Sequence, residues 1–409
     1  MTRHWLHGAT LLLFTIPPVA WAWWDNGHML TAEIARQQLT KSQVAVINGL
    51  LEEWSDDFPG LCDLVTAAVW PDQLKCANHG AVCPRAVMEN IHIFDPWHFD
   101  EKPYNPQNLT LPHCADQWLP NPSASFTLTS AITSMGTSNS RFAFNFMLRW
   151  VIHLVGDIHQ PLHSADGYFD DARLGHLPQG DRGGNLIPVI SDCGANNLHF
   201  YWDSAACQYL VNWSPHYQDH REALTQNASD LITKYPPSSF GTRYDPEHLK
   251  ACWTQLQNKS KPSGVFDICQ QVFVRWVNDT FDTGVPGAYG GITRNSMIPD
   301  DYAVWAKALD MVCFWKTYAE FEMSRRQIVL GGYRLGDMLR LLAEQGARVK
   351  QVPDRKPHMD LNTKIFMAST IVLAVLLVLL LIRYCKLSRR LRDITSPNDM
   401  ALELNRAVA

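Results

Sequence analysis

Residues Arg149 to Asp171 read RWVIHLVGDIHQPLHSADGYFDD, and this stretch decides the fold. An apolar run of Trp150, Val151, Ile152, Leu154 and Val155 carries His153 and Asp157 four residues apart, then His159, Pro161 and His163. On a helix, residues i and i+4 lie one above the other on the same face. His153 and Asp157 therefore aim an imidazole and a carboxylate at one point. Pro161 should end or bend the helix, so His163 arrives from the turn beyond it. A core seldom takes three such polar groups unpaired. Together they suit a first-row metal such as Zn²⁺, held by a helix and its C-terminal turn.

The chain around this stretch has 409 residues, 46% hydrophobic and 18% charged, enough to bury a large core. Its 15 Trp residues should line that core or a binding cleft. Of the formal net charge of −5, the first 22 residues hold one positive charge and the tail from Arg383 a net +3, so the chain between carries −9. A basic face, the usual advertisement of a nucleic-acid binder, is missing. If the protein handles phosphates, bound cations must supply the positive field.

Residues 1–22 read as a secretory signal: Arg3, an apolar stretch from Ala9 to Ile16, Pro17 and Pro18, then Ala20-Trp21-Ala22 as the cleavage site, leaving Trp23 as the mature N-terminus. Ile365 to Ile382 is an uncharged, almost wholly apolar run long enough to span a bilayer. Arg383, Lys386, Arg389 and Arg390 come directly after it, which places the tail 383–409 in the cytoplasm. The expected layout is a type I single-pass membrane protein, on the cell surface or in an endomembrane lumen. Sequons at Asn108, Asn212, Asn227, Asn258 and Asn278, and nine of the ten cysteines, fall on the lumenal side. Cys385, beside the membrane, is a candidate for palmitoylation.

Between signal and anchor, helical periodicity dominates. Helices are predicted at 28–39, 42–54, 61–69, 126–135, 141–158, 199–212, 219–235, 246–256, 265–281, 302–322 and 328–343, with one weak strand at 186–190. The expected fold class is all-α, a single domain over 23–345, followed by a stalk at 346–364 and the transmembrane helix at 365–382.

One metal needs about four ligands. Asn197-Leu198-His199-Phe200-Tyr201-Trp202-Asp203 offers a second His-x3-Asp pair on a predicted helix. Trp70-Pro71-Asp72 sits at a helix end, Asn90-Ile91-His92-Ile93-Phe94-Asp95 places a histidine in an apolar run, and Trp23-Trp24-Asp25-Asn26-Gly27-His28 opens the mature chain. His79, His98, His113 and His176 fall in loops and read as ordinary loop histidines.

The set WWDNGH, VWPD, NIHIFD, HLVGDIHQPLH, DRGGN and NLHFYWD, in that order, resembles the zinc-dependent single-strand nucleases of the nuclease S-one/P-one type. In its membrane anchor the chain looks like the surface 3′-nucleotidase/nucleases of trypanosomatids. The resemblance covers Trp23 to about Leu335 and implies a helical phospholipase C/nuclease P-one-like fold with three zinc ions. Carried over residue by residue, Asp72, His92, His153 and Asp157 would hold one ion, and His163, His199 and Asp203 a second. His28, Asp157 and the backbone amine and carbonyl of Trp23 would hold the third. A free α-amino group can deprotonate near neutral pH and chelate, which gives signal cleavage a chemical purpose. His159 matches an internal, non-ligand position and DRGGN a tight loop near the site.

The implied activity is hydrolysis of single-stranded RNA and DNA to 5′-phosphorylated products, and of 3′-nucleotides, serving nucleotide salvage. Asp72 would orient or deprotonate the attacking water. Three departures stand out. Pro71 replaces an alanine, Lys75 stands where an arginine often supports the transition state, and Ile93 takes the place of the aromatic that usually succeeds the first-zinc histidine. A nucleobase normally stacks on an aromatic face in such sites, so the ring that does this is left open. The competing readings are a phospholipase C-like trizinc phosphodiesterase and an inactive glycosylated receptor.

Overall fold

The computed structural model describes residues 23, 25–56, 60–74, 91–112, 122–171, 175–189, 195–209, 217–258, 264–293 and 302–350, and helical residues 373, 376–384 and 386. Within these, the side chains of 92, 171, 175, 290–293, 302–321 and 350 are left aside.

The described chain is mainly helical. In order come α1 (Asp25–Gln37), α2 (Lys41–Leu51), α3 (Trp70–Gln73), α4 (Ala124–Thr137), α5 (Arg141–Asp157), α6 (Leu198–Asp203), α7 (Tyr217–Lys234), α8 (Glu247–Gln257), α9 (Val265–Thr293) and α10 (Tyr302–Lys350). Short 3₁₀ turns cover Thr66–Val69, His92–His98 and Pro161–His163. Two small ladders join β1 (Lys102–Tyr104) in parallel to β2 (Ala165–Gly167), and β3 (Phe169–Asp171) antiparallel to β4 (Gly175–Leu177).

Helix α5 is the axis. Ser140 caps it by accepting the amide of Ala143, and every residue from Leu148 to Asp157 is buried. A helix buried all round must be surrounded by others, and α1, α4, α10 and the segment 66–73 pack about it. Arg149, fully buried on α5, donates to the carbonyls of Leu61 (2.5 Å) and Leu51 (3.2 Å), tying the start of the 61–73 segment to this axis. A second apolar cluster gathers Leu162, Phe169, Trp202, Val285 and Tyr289 beyond the end of α5.

Several expectations need correction. The predicted helix 61–69 is a 3₁₀ turn leading into α3. The predicted helix 199–212 stops at Asp203, because Ala205, Ala206 and Cys207 take left-handed backbone angles (φ 52°, 58° and 65°), which no right-handed helix accommodates. The weak strand at 186–190 reduces to one bridge between Pro188 and Asn197, while the described strands lie elsewhere. The helices expected at 302–322 and 328–343 are one continuous helix, with Ser324 and Gln327 buried at the supposed break. It runs to Lys350, into the predicted stalk.

The chain divides into two compact units, Met1–Val352 and Pro353–Ala409. In the second unit, 376–384 are helical, with exposed apolar side chains. Among the described residues, no helix is long and apolar enough to cross a membrane. Most of the predicted span 365–382 and all of the predicted signal lie outside them.

Candidate metal centre

His153 and Asp157 project from the last turn of α5, with Nε2 of His153 3.1 Å from Oδ2 of Asp157. The next turn, capped by Gln160, delivers His163, whose Nδ1 lies 3.5 Å from the other carboxylate oxygen. From α1, His28 Nε2 approaches that same oxygen at 3.3 Å, its ring stacked on His153 at 3.9 Å. From α3, Asp72 Oδ1 lies 3.7 Å from His153 Nε2. On α6, His199 and Asp203 face each other at 3.5 Å, and His163 Nε2 lies 3.7 Å from Asp203. All these residues are buried, none more than 1% exposed.

The remaining member is His98. Its Nδ1 lies 2.9 Å from Asp157 Oδ2, 3.1 Å from His153 Nε2 and 3.7 Å from Asp72 Oδ1. The sequence motif assigns this place to His92 and leaves His98 in a loop. Both residues bound one 3₁₀ segment; six residues at about 2 Å rise put them roughly 12 Å apart along its axis. The chain just beyond His98 holds it in position. The Asp100 amide donates to the His163 carbonyl (2.8 Å), the Lys102 amide to that of Ser164 (3.2 Å), and β1 then pairs with β2. Asp100 also accepts from the Ser125 amide (2.7 Å) and hydroxyl (2.6 Å) at the start of α4. Burial pushes its carboxyl up to about 6, against those hydrogen bonds. One sign was legible: His98, unlike His92, is followed directly by an aromatic, Phe99.

The donors form three buried groups, each with one ligand atom per residue within 4.8 Å of the others: His28, His153 and Asp157; Asp72, His98 and His153; and His163, His199 and Asp203. Ligands about 2.0–2.2 Å from a tetrahedral zinc sit roughly 3.3 Å from one another, and the separations above bracket that value. Both ring nitrogens of His28 and Oδ1 of Asp157 make no hydrogen bond although fully buried. A cation would remove that penalty. Imidazole and carboxylate donors suit zinc, so residues and ion fit.

The remaining hydrogen bonds fix the rings. Nδ1 of His153 donates to the Ala68 carbonyl (2.6 Å), that of His163 to His98 (3.0 Å) and that of His199 to Gly183 (2.7 Å), which turns each Nε2 inward as a lone-pair donor. Gly183, at φ 61°, lies in the DRGGN turn; a Cβ there would fall 2.4 Å from the Leu162 carbonyl. Gly156 is equally constrained, since a Cβ would stand 2.6 Å from His28 Nδ1. Gln160, inside the opening motif yet unremarked in the sequence, donates to Asp203 Oδ1 at 2.7 Å.

Electrostatics agrees with a site built for cations. Burial opposes ionisation of Asp157, but His153 and His163 outweigh it and hold its carboxyl well below the usual range. Burial would lower His153, but Asp157 and Asp72 raise it, whereas burial and His153 keep His28 low. His159 is no ligand: burial and the Arg334 guanidinium (2.8 Å) hold it neutral, donating to the Val155 carbonyl.

The other expected site residues have distinct surroundings. Trp23 is buried, its indole donating to the Gly156 carbonyl (3.0 Å), on the residue beside Asp157. Lys75 and Asn212 lie outside the described residues, as does the side chain of His92. Asn108 and Asn258 are exposed, while Asn227 and Asn278 are half-buried, the latter accepting from Lys102 (2.8 Å). Cys252 and Cys269 form a disulfide, and Cys207 is also disulfide-bonded.

A helical domain thus brings together three adjoining His/Asp groups, each able to hold a metal ion. The S1/P1 Nuclease family model matches residues 23–344, and the chain belongs to that family. It is 27% identical to Nuclease S1 of Aspergillus oryzae over 220 residues, 52% of this chain and 65% of that protein. It is 28% identical to Endonuclease 1 of Arabidopsis thaliana over 230 residues (54% and 65%) and 25% identical to Nuclease P1 of Penicillium citrinum over 193 (46% and 60%). The chain thus spans a little under two thirds of the length of these relatives. Enzymes of the family are trizinc hydrolases, and three buried His/Asp groups stand ready here for three Zn²⁺.

Proposed function

We propose that the protein is a zinc-dependent hydrolase of phosphate esters. It would cleave single-stranded RNA and DNA to 5′-phosphorylated products and release phosphate from 3′-nucleotides, for nucleotide salvage. The observation that carries this reading is the sharing of His153 between two groups and the approach of Asp157 to all three, which would hold ions close enough to grip one phosphate. His28, Asp72, His98, His153, Asp157, His163, His199 and Asp203 are the proposed side-chain ligands. The amine and carbonyl of Trp23 complete the set once the leader is removed.

When bound, the zinc ions supply positive charge for the phosphate and lower the pKa of an attacking water. Asp72 sits between His28 (4.0 Å) and His98 (3.7 Å), where its carboxylate can orient that water and take its proton. Lys75, three residues on, is the proposed cation opposite the growing charge. Phe99, half-buried, packs its ring 4.7 Å from His163 and 6.0 Å from His199, and is the platform proposed for the base next to the scissile phosphate. Residues 365–382 are proposed as a membrane anchor that keeps the enzyme on the surface or in the lumen, as in the trypanosomatid enzymes.

The test is hydrolysis by the zinc-loaded ectodomain beginning at Trp23, offered single-stranded RNA, a 3′-mononucleotide and phosphatidylcholine. Cleavage of the first two supports the reading. Release from the lipid alone would make this a phospholipase, and fewer than two zincs per chain with no hydrolysis would make it a receptor.

A further inference from the structure

One surface feature plays no part in the metal centre. Phe142 is 63% exposed on the outer end of α5, and Ile93 is 75% exposed. Phe142 stacks on Phe146 one turn along (centroids 6.2 Å, planes 18° apart) and meets Trp54 edge-on at 6.1 Å. Phe146 touches Phe94 (6.2 Å), and Phe94 touches Trp97 (4.7 Å). Trp54, Phe94, Trp97 and Phe146 are each half-buried, so each ring keeps part of its surface in solvent. At its inner end Trp97 packs on buried Trp150 (4.8 Å), which packs edge-on to His98 (5.5 Å). Trp97 is also the chain neighbour of His98.

We propose that this strip is a stacking track for the bases of a single-stranded polynucleotide whose scissile phosphate lies at the metal centre. The proposal rests on the function proposed above. The end of the strip at Trp97, beside His98, and its chemical type select the occupant. The exposed row is aromatic, and every base offers a face to such a ring whatever its sequence. Phe142 lies eleven residues before His153 on α5, about 16 Å at 1.5 Å per residue. A stacked strand advances about 3.4 Å per nucleotide, so the row has room for roughly five. The metals would meet the charge of the scissile phosphate, and the phosphates further along the strip would stay in solvent. A mononucleotide held at the centre cannot reach Phe142, so the strip separates polymer from monomer substrates.

The experiment compares kcat/KM for a ten-nucleotide single-stranded RNA and for a 3′-mononucleotide, in wild type, Phe142→Ala, Phe142→Leu and Phe142→Trp. Removal of one base stack corresponds to a loss of about 5- to 150-fold. The ratio of oligomer to mononucleotide kcat/KM should fall by that factor in the Ala and Leu variants, mainly through KM, and return in the Trp variant. A ratio unchanged in Phe142→Ala overturns the proposal. Recovery with Leu would show apolar packing in place of stacking, which also overturns it. Loss of binding to phosphatidylcholine/phosphatidylserine vesicles, with the ratio intact, would reassign the face to a lipid surface. Wild type inactive on both substrates would instead refute the hydrolase reading, and the track with it.

Discussion

Gly156→Ala tests the way the helices hold the metal centre. In an ordinary helix this exchange stabilises, by up to about 1 kcal/mol. Here the added Cβ would stand 2.6 Å from His28 Nδ1 and 3.0 Å from Cε1. Ordinary contact begins near 3.4 Å, so the ring must retreat by about 0.8 Å from a fully buried position. Coordination tolerates about 0.2 Å, so the group of His28, His153 and Asp157 should lose its ion while the other two keep theirs. Overpacking costs about 1–3 kcal/mol, which should exceed the helical gain and lower the melting temperature by a few degrees. The assay is zinc stoichiometry by elemental analysis, together with thermal unfolding. Gly136→Ala on α4, where the added Cβ meets only Leu256 and Trp253 at 3.4 Å, is the control and should be neutral or stabilising. If Gly156→Ala retains all three ions at wild-type affinity, the reasoning about His28 fails.

Further outcomes are expected from the same geometry. His98→Ala should lose zinc and activity while His92→Ala keeps both, and the reverse pattern would restore the assignment made from sequence. Gln160→Ala should weaken zinc at the His163, His199 and Asp203 group about 10- to 100-fold, because the Asp203 carboxylate loses the amide that orients it; unchanged zinc affinity by competition with a chelator would refute this. Burial pushes the Asp181 carboxyl up to about 7, so the folded chain keeps a proton that the unfolded chain releases from about pH 4. Stability should therefore fall from about pH 4 to 7, by up to ~1.4 kcal/mol per pH unit, and level off above. Asp181→Asn should remove that contribution; denaturant titrations at pH 5 and 7 showing the same difference as wild type would contradict it.

The helices were largely legible because α1, α4, α5, α7 and α8 carry periodic apolar faces with clear ends, such as the Ser140 cap and Pro161. Where tertiary contacts override local pattern, the sequence misled. Nothing in the AACQ stretch announces left-handed angles at Ala205 to Cys207. The three-residue strands are too short to alternate visibly, and β1 meets β2 only because the chain beyond His98 is laid against the segment beyond His163. The helical pairs His153/Asp157 and His199/Asp203 could be read because their spacing is set by one helix. His98 could not, because its place depends on the Asp100 contacts with His163 and Ser125, made across the chain. Pro96, between His92 and His98, suggests a break in regular structure, although the 3₁₀ segment passes through it.

The hydrogen bond from His163 Nδ1 to the carbonyl of His98 joins a donor of one group to the peptide of another. Any shift that admits or ejects an ion on one side tugs the backbone that presents the other. Loading of these two groups is therefore coupled: a change that weakens zinc at the His163 group, such as Gln160→Ala, should also weaken it at the His98 group.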